Sequence, residues 1–195
     1  MKPQAVIFDM DGTLFDSERL GHQIWRQLGV EFQLPVSDAF LRDLSGRDWN
    51  SAKEVFDHYF PAGWPLSAVK ERQRELLAQF YATSGAEVKP GVYAILDHLK
   101  ERQIPMAIAT SSFPQCVKAN LRHAHAEHYF QSIITGYDPD VKAGKPAPDI
   151  YLCAARRLQA DITRCIVVED SPSGIRAAAA ANAMPLLIPD TAPVD

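Results

Sequence analysis

The 195-residue sequence is poor in cysteine, has no long apolar run and contains no block of basic residues. Its three cysteines, Cys116, Cys153 and Cys165, are far apart, and none belongs to a C-x-x-C pair. This pattern predicts free thiols and argues against a disulfide framework or a zinc site. The apolar stretch at 5–8 is too short for a signal peptide, and no other stretch approaches a membrane span. We therefore expect a cytoplasmic protein that does not bind membranes.

The charge of the chain is nearly balanced, with 20 Lys and Arg against 24 Asp and Glu and a net charge of −4. A mildly acidic chain without a Lys- or Arg-rich block argues against a nucleic-acid partner. Its 10 glycines and 14 prolines are scattered without a period, which excludes collagen-like and low-complexity classes. The length fits one domain that carries a sizeable insertion, and we expect a monomer.

Five short apolar runs predict the strands of a parallel sheet, at residues 5–8, 106–109, 132–135, 165–168 and 186–188. The runs are continuous rather than alternating, as expected when helices cover both faces of the sheet. A helix is predicted between two of them at 91–102, where apolar residues recur at i, i+3, i+4 and i+7. The fold class predicted is α/β, a Rossmann-like parallel sheet of about five strands with an inserted helical cap.

The insertion is predicted at 17–85, where helical periodicity replaces the strand pattern. An apolar stripe lies there opposite charged residues and consists of Val69, Leu76, Leu77 and Phe80. We expect a helical cap domain at 17–85 and an α/β core made of 1–16 and 86–195. Aromatic residues of the insertion, such as Trp25 and Phe56, are expected to form the cap's own core.

Polar residues directly follow three of the predicted strands, at 9–13, 110–112 and 169–171. Because ligands bind beyond the carboxyl ends of the strands in an open parallel sheet, these clusters are expected to meet in one crevice. Together they contain four carboxylates, which repel one another unless a cation neutralises them: Asp9, Asp11, Glu169 and Asp170. Oxygen ligands without histidine or cysteine favour a hard ion, and we predict Mg²⁺.

The same crevice has the residues that phosphoryl transfer requires. An aspartate can act as nucleophile on phosphorus, and a second carboxylic acid can protonate the leaving oxygen. Asp9 and Asp11 are two residues apart, so an extended chain would present both side chains to one phosphoryl group. Thr110 offers a hydroxyl donor, and Lys145, in a Pro-rich loop, offers a positive charge for the phosphoryl oxygens.

Four motifs follow one another along the chain: D-M-D-G-T-L at 9–14, Thr110, K-P-x-P-D at 145–149 and E-D-S-x-x-G at 169–174. In type and order they resemble the signature of the haloacid dehalogenase-like phosphatases. The helical insertion after the first motif looks like the small α-helical cap of the β-phosphoglucomutase-like members. In finer detail the motifs look most similar to small-metabolite phosphatases, such as pseudouridine-5'-phosphatase and sugar-phosphate phosphatases.

The resemblance implies a role for each matched residue. Asp9 would be the nucleophile and Asp11 the general acid and base. Thr110 and Lys145 would hold the phosphoryl group, and the neighbouring Ser111 is a further candidate for substrate binding.

The resemblance also implies a ligand set for Mg²⁺. Asp9, the backbone carbonyl of Asp11 and Asp170 would coordinate the ion, with Glu169 close by or acting through water. Arg47, in a turn between two predicted cap helices, is a candidate contact to the substrate.

The predicted function is a Mg²⁺-dependent phosphatase for a small phosphomonoester, a sugar phosphate or nucleotide-like metabolite, with an aspartyl-phosphate intermediate. The alternative is a phosphomutase of the β-phosphoglucomutase type. Such mutases place a histidine in the first cap helix where this sequence has Gly21, with His22 adjacent, and this departure favours hydrolysis. A dehalogenase is disfavoured because Asp11 supplies a second acid.

Two hypotheses in which the protein is not an enzyme stay open. In a receiver-like signalling domain, adjacent acids follow the first strand and no long insertion is present, so the D-x-D spacing and the insertion argue against it. A module that binds a phosphorylated metabolite without turning it over would show saturable binding only. Finally, the sequence stops at 195, soon after the fifth predicted strand, whereas relatives usually continue with another helix. We therefore expect that this end is a truncation, which intact-mass analysis of the native product would test.

Overall fold

A five-stranded parallel sheet organises the computed structural model, which describes residues 2–44, 49 and 52–190. Its strands are β1 Ala5–Phe8, β2 Met106–Thr110, β3 Ser132–Thr135, β4 Cys165–Glu169 and β5 Met184–Leu187. The order across the sheet is β3-β2-β1-β4-β5, and every neighbouring pair is parallel. The prediction of an α/β fold with a parallel sheet is confirmed.

The fifth strand begins two residues earlier and ends one residue earlier than the sequence pattern predicts. Met184 pairs with Ile166 and Leu187 with Glu169, so the register against β4 decides the bounds. Pro185 lies within this strand, which is at the edge of the sheet, where a residue that cannot donate a hydrogen bond is tolerated. An apolar run that contains a proline is a weak strand signal, which explains the error.

Eight α-helices accompany the sheet in the described part of the chain. They are α1 Ser17–Phe32, α2 Asp38–Leu44, α3 Lys53–Tyr59, α4 Leu66–Thr83, α5 Val92–Glu101, α6 Pro114–His123, α7 Asp149–Arg157 and α8 Pro172–Ala180. None of the helices described combines the length and the apolar composition needed to cross a membrane.

Helices cover both faces of the sheet, as the continuous apolar strands predict. Successive side chains of β1 point to opposite faces. Phe8 packs in a cluster with Leu96 of α5 and Leu121 of α6. Ile7 packs in a second cluster, with residues of α7 and α8 such as Tyr151. The two clusters cover the faces of the sheet, and polar residues lie at the carboxyl ends of its strands.

The helices α1 to α4 lie between β1 and β2 in the sequence and have a hydrophobic cluster of their own. Trp25 is buried at its centre, with ring centroids 5.3 Å from Phe40 and 5.6 Å from Phe56. The expectation that Trp25 and Phe56 form the core of the insertion is therefore confirmed. The division into a core of 1–16 and 86–195 and a cap domain of 17–85 stays a prediction.

Two antiparallel linkers join the insertion to the sheet. Phe15 forms a bridge with Val88, and the backbone N–H of Asp16 donates to the carbonyl of Glu87 at 2.8 Å. The backbone N–H of Lys89 donates to the carbonyl of Leu14 at 3.0 Å. These hydrogen bonds hold the returning chain beside the loop that follows β1.

Candidate active site

The centre of the site is a buried lysine between two carboxylates. Asp9 follows β1, and Glu169 is the last residue of the adjacent strand β4. The Nζ of Lys145 contacts Oδ1 of Asp9 and lies 2.7 Å from Oε1 of Glu169. The three side chains are 8%, 9% and 1% exposed for Lys145, Asp9 and Glu169. Buried charges are stable in proteins when they are paired in this way.

Further hydrogen bonds hold Glu169 rigidly. Its Oε1 accepts from the hydroxyl of Tyr151 at 2.8 Å. Its Oε2 accepts from the backbone N–H groups of Asp170 and Ser171 at 3.0 and 2.8 Å and from the Ser171 hydroxyl at 2.9 Å. A Cβ on Gly174 would lie 1.6 Å from Oε1, so only glycine fits there. The start of α8 is thus shaped around this carboxylate.

Burial and the crowding of charges shift several pKa values. Burial raises the pKa of Asp9 to about 8, with Glu169 and Asp11 adding to the rise and Lys145 opposing it. Burial and the charge of Glu169 raise the pKa of Asp170 to about 7. Burial also raises the pKa of Glu169, but the charge and hydrogen bond of Lys145 outweigh it, so that pKa is below its ordinary value. The site therefore has more carboxylates than its lysine can balance.

Asp11 lies beside the end of β2. Its Oδ2 accepts a hydrogen bond from the Thr110 hydroxyl at 3.3 Å and another from the Ser112 hydroxyl. The backbone N–H of Ser112 donates to Oγ1 of Thr110 at 3.1 Å. Ser112 belongs to the polar cluster predicted at 110–112, but it was not among the candidate site residues. Its spacing of two residues from Thr110 is the available signal. Ser111 is exposed, and its contact to the substrate stays a prediction.

A glycine brings the loop after β1 against Asp170. Gly12 has a φ of 75°, and a Cβ there would lie 2.3 Å from Oδ2 of Asp170. The hydroxyl of Thr13 is 3.4 Å from Oδ1 of the same carboxylate. The structure thus places Asp170 at the loop that contains Asp9 and Asp11. A hard cation fits this all-oxygen donor set and the surplus of carboxylates around it.

A cavity of about 370 Å³ lies between the insertion and the strand ends. From the sheet side it is lined by Asp11, Ser112, Phe113 and Cys116. From the insertion it is lined by residues of α1, α2 and α4, most of them apolar: Ser17, Glu18, Leu20, Gly21, His22, Trp25, Leu41, Leu44, Leu77 and Tyr81. Asp11 therefore faces a space that could hold a small organic group.

The family model of the haloacid dehalogenase-like hydrolases matches residues 3–182. This chain belongs to that family. (DL)-glycerol-3-phosphatase 2 of Arabidopsis thaliana is 33% identical over 192 residues, which cover 95% of this chain and 79% of the relative. Fructose-1-phosphate phosphatase YqaB of Escherichia coli is 30% identical over 179 residues, covering 91% and 92%. The predicted family is confirmed.

A solved structure of the same family resembles the fold closely. A mutant of CbbY from Rhodobacter sphaeroides, in complex with xylulose-(1,5)-bisphosphate, matches with a TM-score of 0.74 and 26% identity, covering 96% of this chain and 86% of that protein. The prediction that this chain is an enzyme, a hydrolase of the haloacid dehalogenase-like phosphatase type, is confirmed.

For this family member, the structure brings most of the predicted site residues together. Asp9, Lys145 and Glu169 form one contact group, while Asp11 and Thr110 form another beside it. Asp170 lies against the loop that contains Asp9 and Asp11, next to Gly12. Arg47 lies outside the described residues, so its contact to the substrate stays a prediction.

Proposed function

We propose that this protein is a Mg²⁺-dependent phosphatase that hydrolyses a small phosphomonoester through an aspartyl-phosphate intermediate. The observation that carries the proposal is the buried Lys145, held between Asp9 and Glu169 at the strand ends, next to Asp11. The names of the relatives, glycerol-3-phosphatase and fructose-1-phosphate phosphatase, support a phosphorylated polyol or sugar as the class of substrate.

Asp9 acts as the nucleophile in the first step. Its carboxylate oxygen forms a bond to phosphorus as the bond from phosphorus to the ester oxygen breaks. The departing oxygen takes a proton from Asp11, which lies at the cavity wall. In the second step Asp11 takes a proton from water, the water oxygen bonds to phosphorus, and the bond to Asp9 breaks. The products are the alcohol and inorganic phosphate, and both aspartates return to their initial state.

Lys145 and Thr110 bind the phosphoryl group. The ammonium group of Lys145 is held in place by Glu169, so it needs little reorganisation to balance the charge that develops on the phosphoryl oxygens. The hydroxyl of Thr110, 3.3 Å from Asp11, is a donor beside the acid. We also assign substrate contacts to Ser111 and Arg47.

The side chains of Asp9 and Asp170 and the carbonyl of Asp11 would hold Mg²⁺. When bound, the ion neutralises negative charge on the carboxylates and on the phosphoryl group. Glu169 would act on it only through water, because Lys145, Tyr151 and backbone donors already use both of its carboxylate oxygens.

The insertion at 17–85 acts as a cap domain over a core of 1–16 and 86–195. It closes the cavity of about 370 Å³, excludes water and selects the substrate, a sugar phosphate or nucleotide-like metabolite. The three free cysteines support a cytoplasmic enzyme, and we propose that it acts as a monomer, without nucleic-acid or membrane partners. A phosphomutase is the second candidate, because His22 lines the cavity next to Gly21.

Phosphate release from a panel of phosphomonoesters tests the proposal. The panel is measured with Mg²⁺ and with chelator, for the native protein and for Asp9→Asn. We expect release that depends on Mg²⁺ and that falls by at least about 10³-fold in Asp9→Asn, because the nucleophile is lost. No release from any ester by the folded native protein would contradict the phosphatase, and conversion of one sugar phosphate into its isomer would instead establish the mutase.

A further inference from the structure

Lys89 connects the linker that returns from the insertion to two parts of the core. Its Nζ donates to the carbonyl oxygen of Gly12 at 2.6 Å and lies 2.5 Å from Oδ1 of Asp190. The side chains are 19% exposed for Lys89 and 11% for Asp190. This largely buried ion pair lies beside the loop that follows the nucleophile, and the mechanism above does not use it.

The second carboxylate oxygen of Asp190 faces the same loop. Its Oδ2 is a buried side-chain atom with no hydrogen-bond partner among residues 2–44, 49 and 52–190. It would lie 3.3 Å from a Cβ built on Gly12, and Oδ2 of Asp170 would lie 2.3 Å from that same point. Two carboxylates therefore flank the Gly12 turn, and the ammonium group of Lys89 is hydrogen-bonded to that turn.

We propose that Lys89 and Asp190 are positioning residues that hold the Gly12 turn against Asp170, at the separation that cation binding requires. The inference rests on the proposed function, since it assigns Asp170 to the Mg²⁺ site. Lys89 binds the turn through its carbonyl oxygen, and Asp190 fixes the lysine from the other side. The Oδ2 of Asp190 would supply an acceptor for water held by the bound ion.

The backbone around Lys89 makes this contact rigid. Its own N–H is bonded to the carbonyl of Leu14, and the adjacent Val88 bridges to Phe15. The side chain therefore starts from a fixed point beside the loop that it holds. If the lysine were absent, the carboxylates of Asp170 and Asp190 would repel each other across Gly12 with no cation to offset them.

The same linker offers a matched control. Glu87, two residues before Lys89, pairs with Arg19 at 3.4 Å, but the side chains are 78% and 63% exposed. An exposed pair contributes little to structure. Glu87→Gln therefore makes the same chemical change as Asp190→Asn at a site that does not touch the Gly12 turn.

The test measures the Mg²⁺ dissociation constant of the metal-free protein by calorimetry, in the variants Lys89→Met, Asp190→Asn, the double variant and Glu87→Gln. We expect the constant to rise about tenfold in each single variant, as for other outer-shell residues of metal sites. The dissociation constant of the double variant should not exceed the larger of the two single-variant constants, because the two residues act as one unit. Glu87→Gln should bind as the native protein does. Lys89→Arg should recover part of the affinity.

A purely electrostatic effect gives a different pattern. Removing the positive charge of Lys89 would then tighten Mg²⁺ binding, while removing the negative charge of Asp190 would weaken it. Tighter binding by Lys89→Met, additive effects in the double variant, or native affinity in both single variants would each overturn the inference. Thermal unfolding in chelator establishes that each variant is folded.

Two further measurements complete the test. At subsaturating Mg²⁺ the variants should lose turnover with KM unchanged, and added Mg²⁺ should restore it. Asp170→Asn distinguishes a failure of the proposed cation site from a failure of the inference about Lys89 and Asp190. If the native protein binds no Mg²⁺, or if Asp170→Asn binds it equally well, the proposed cation site fails and the inference fails with it. If Asp170→Asn alone loses binding, only the inference on Lys89 and Asp190 fails.

Discussion

The two sides of the site are built in opposite ways. At the strand ends, Asp9, Lys145 and Glu169 are nearly inaccessible to solvent and bonded to one another. Across from them, the insertion presents mainly apolar side chains, such as Leu44 and Leu77, to a cavity of about 370 Å³. These three groups have fixed partners, whereas the cavity wall leaves space for an occupant of variable shape.

Because of this difference, we expect the strand ends to carry out the reaction and the cavity wall to select the substrate. Removing one partner of a buried ion pair leaves the other charge uncompensated, which is costly, so the strand ends tolerate little change. Apolar walls tolerate substitutions that keep the volume, so the cavity can change its preference without loss of the chemistry. We therefore expect changes at the strand ends to lower kcat and changes in the cavity to alter KM and substrate ranking.

The largest effect is expected for Lys145→Met. Loss of the buried ammonium group removes the charge that balances the phosphoryl oxygens, and kcat should fall about 10²–10³-fold. Steady-state kinetics on the best ester of the panel measures it. Lys142→Met, an exposed lysine in the same loop, should retain native kcat. If Lys145→Met kept more than about a tenth of the activity, the strand-end assignment would be wrong.

Gly174→Ala should lower both stability and activity. Alanine is usually the better helix residue, but its Cβ would lie 1.6 Å from Oε1 of Glu169. Displacing that carboxylate should cost about 1–3 kcal/mol of unfolding free energy and disturb the lysine that it holds. Thermal unfolding measures the loss. Gly21→Ala in α1, where a Cβ meets open space, should instead gain about 0.5–1 kcal/mol, and equal melting temperatures for the two variants would contradict this view.

Leu77→Phe should change the substrate ranking and leave the chemistry intact. The larger ring reduces the cavity on the side of α4, so KM for the bulkier esters should rise by up to about tenfold, while KM and kcat for the smallest ester stay close to native. The phosphomonoester panel measures both quantities. An equal loss of kcat for all esters would show that the insertion takes part in catalysis. It would contradict the view that the cavity wall affects only the choice of substrate.

The smallest effect is a pH dependence of stability in the metal-free protein. Burial raises the pKa of Asp9 from an ordinary value of 3.8 to about 8. Because the folded pKa is the higher one, the stability from this group is complete below about pH 4 and is lost as the pH rises through about 8. In chelator, the melting temperature should therefore fall by about a few degrees between pH 5 and 8.

Asp9→Asn cannot ionise, so its melting temperature should fall less over the same range and should exceed the native value at about pH 8. Asp57→Asn, which alters an exposed carboxyl in the insertion, should follow the native curve. A native curve that rises toward pH 8, or one shared by all three proteins, would be incompatible with the buried Asp9 described here.

Much of the fold could be read from the sequence because strand and helix patterns are local. Continuous apolar runs such as Ala5–Phe8 identify strands that are buried on both faces. The predicted fifth strand began two residues too late and ended one residue too late, since its bounds depend on pairing with β4 rather than on its own composition. Asp9, Asp11 and Asp170 were candidates because carboxylates follow strands whose ends must meet in a parallel sheet.

Other features depend on contacts between residues that are remote in the sequence. No local pattern indicates that Gly174 leaves room for Glu169, that Ser112 bonds to Asp11, or that Lys89 reaches Gly12. The sequence by itself determined the order of the elements, the family and the chemical groups available for the reaction, because these follow from residue type and spacing. Only the tertiary structure decided which charges are paired and how the cavity is lined, because burial and distance arise when separate segments pack together.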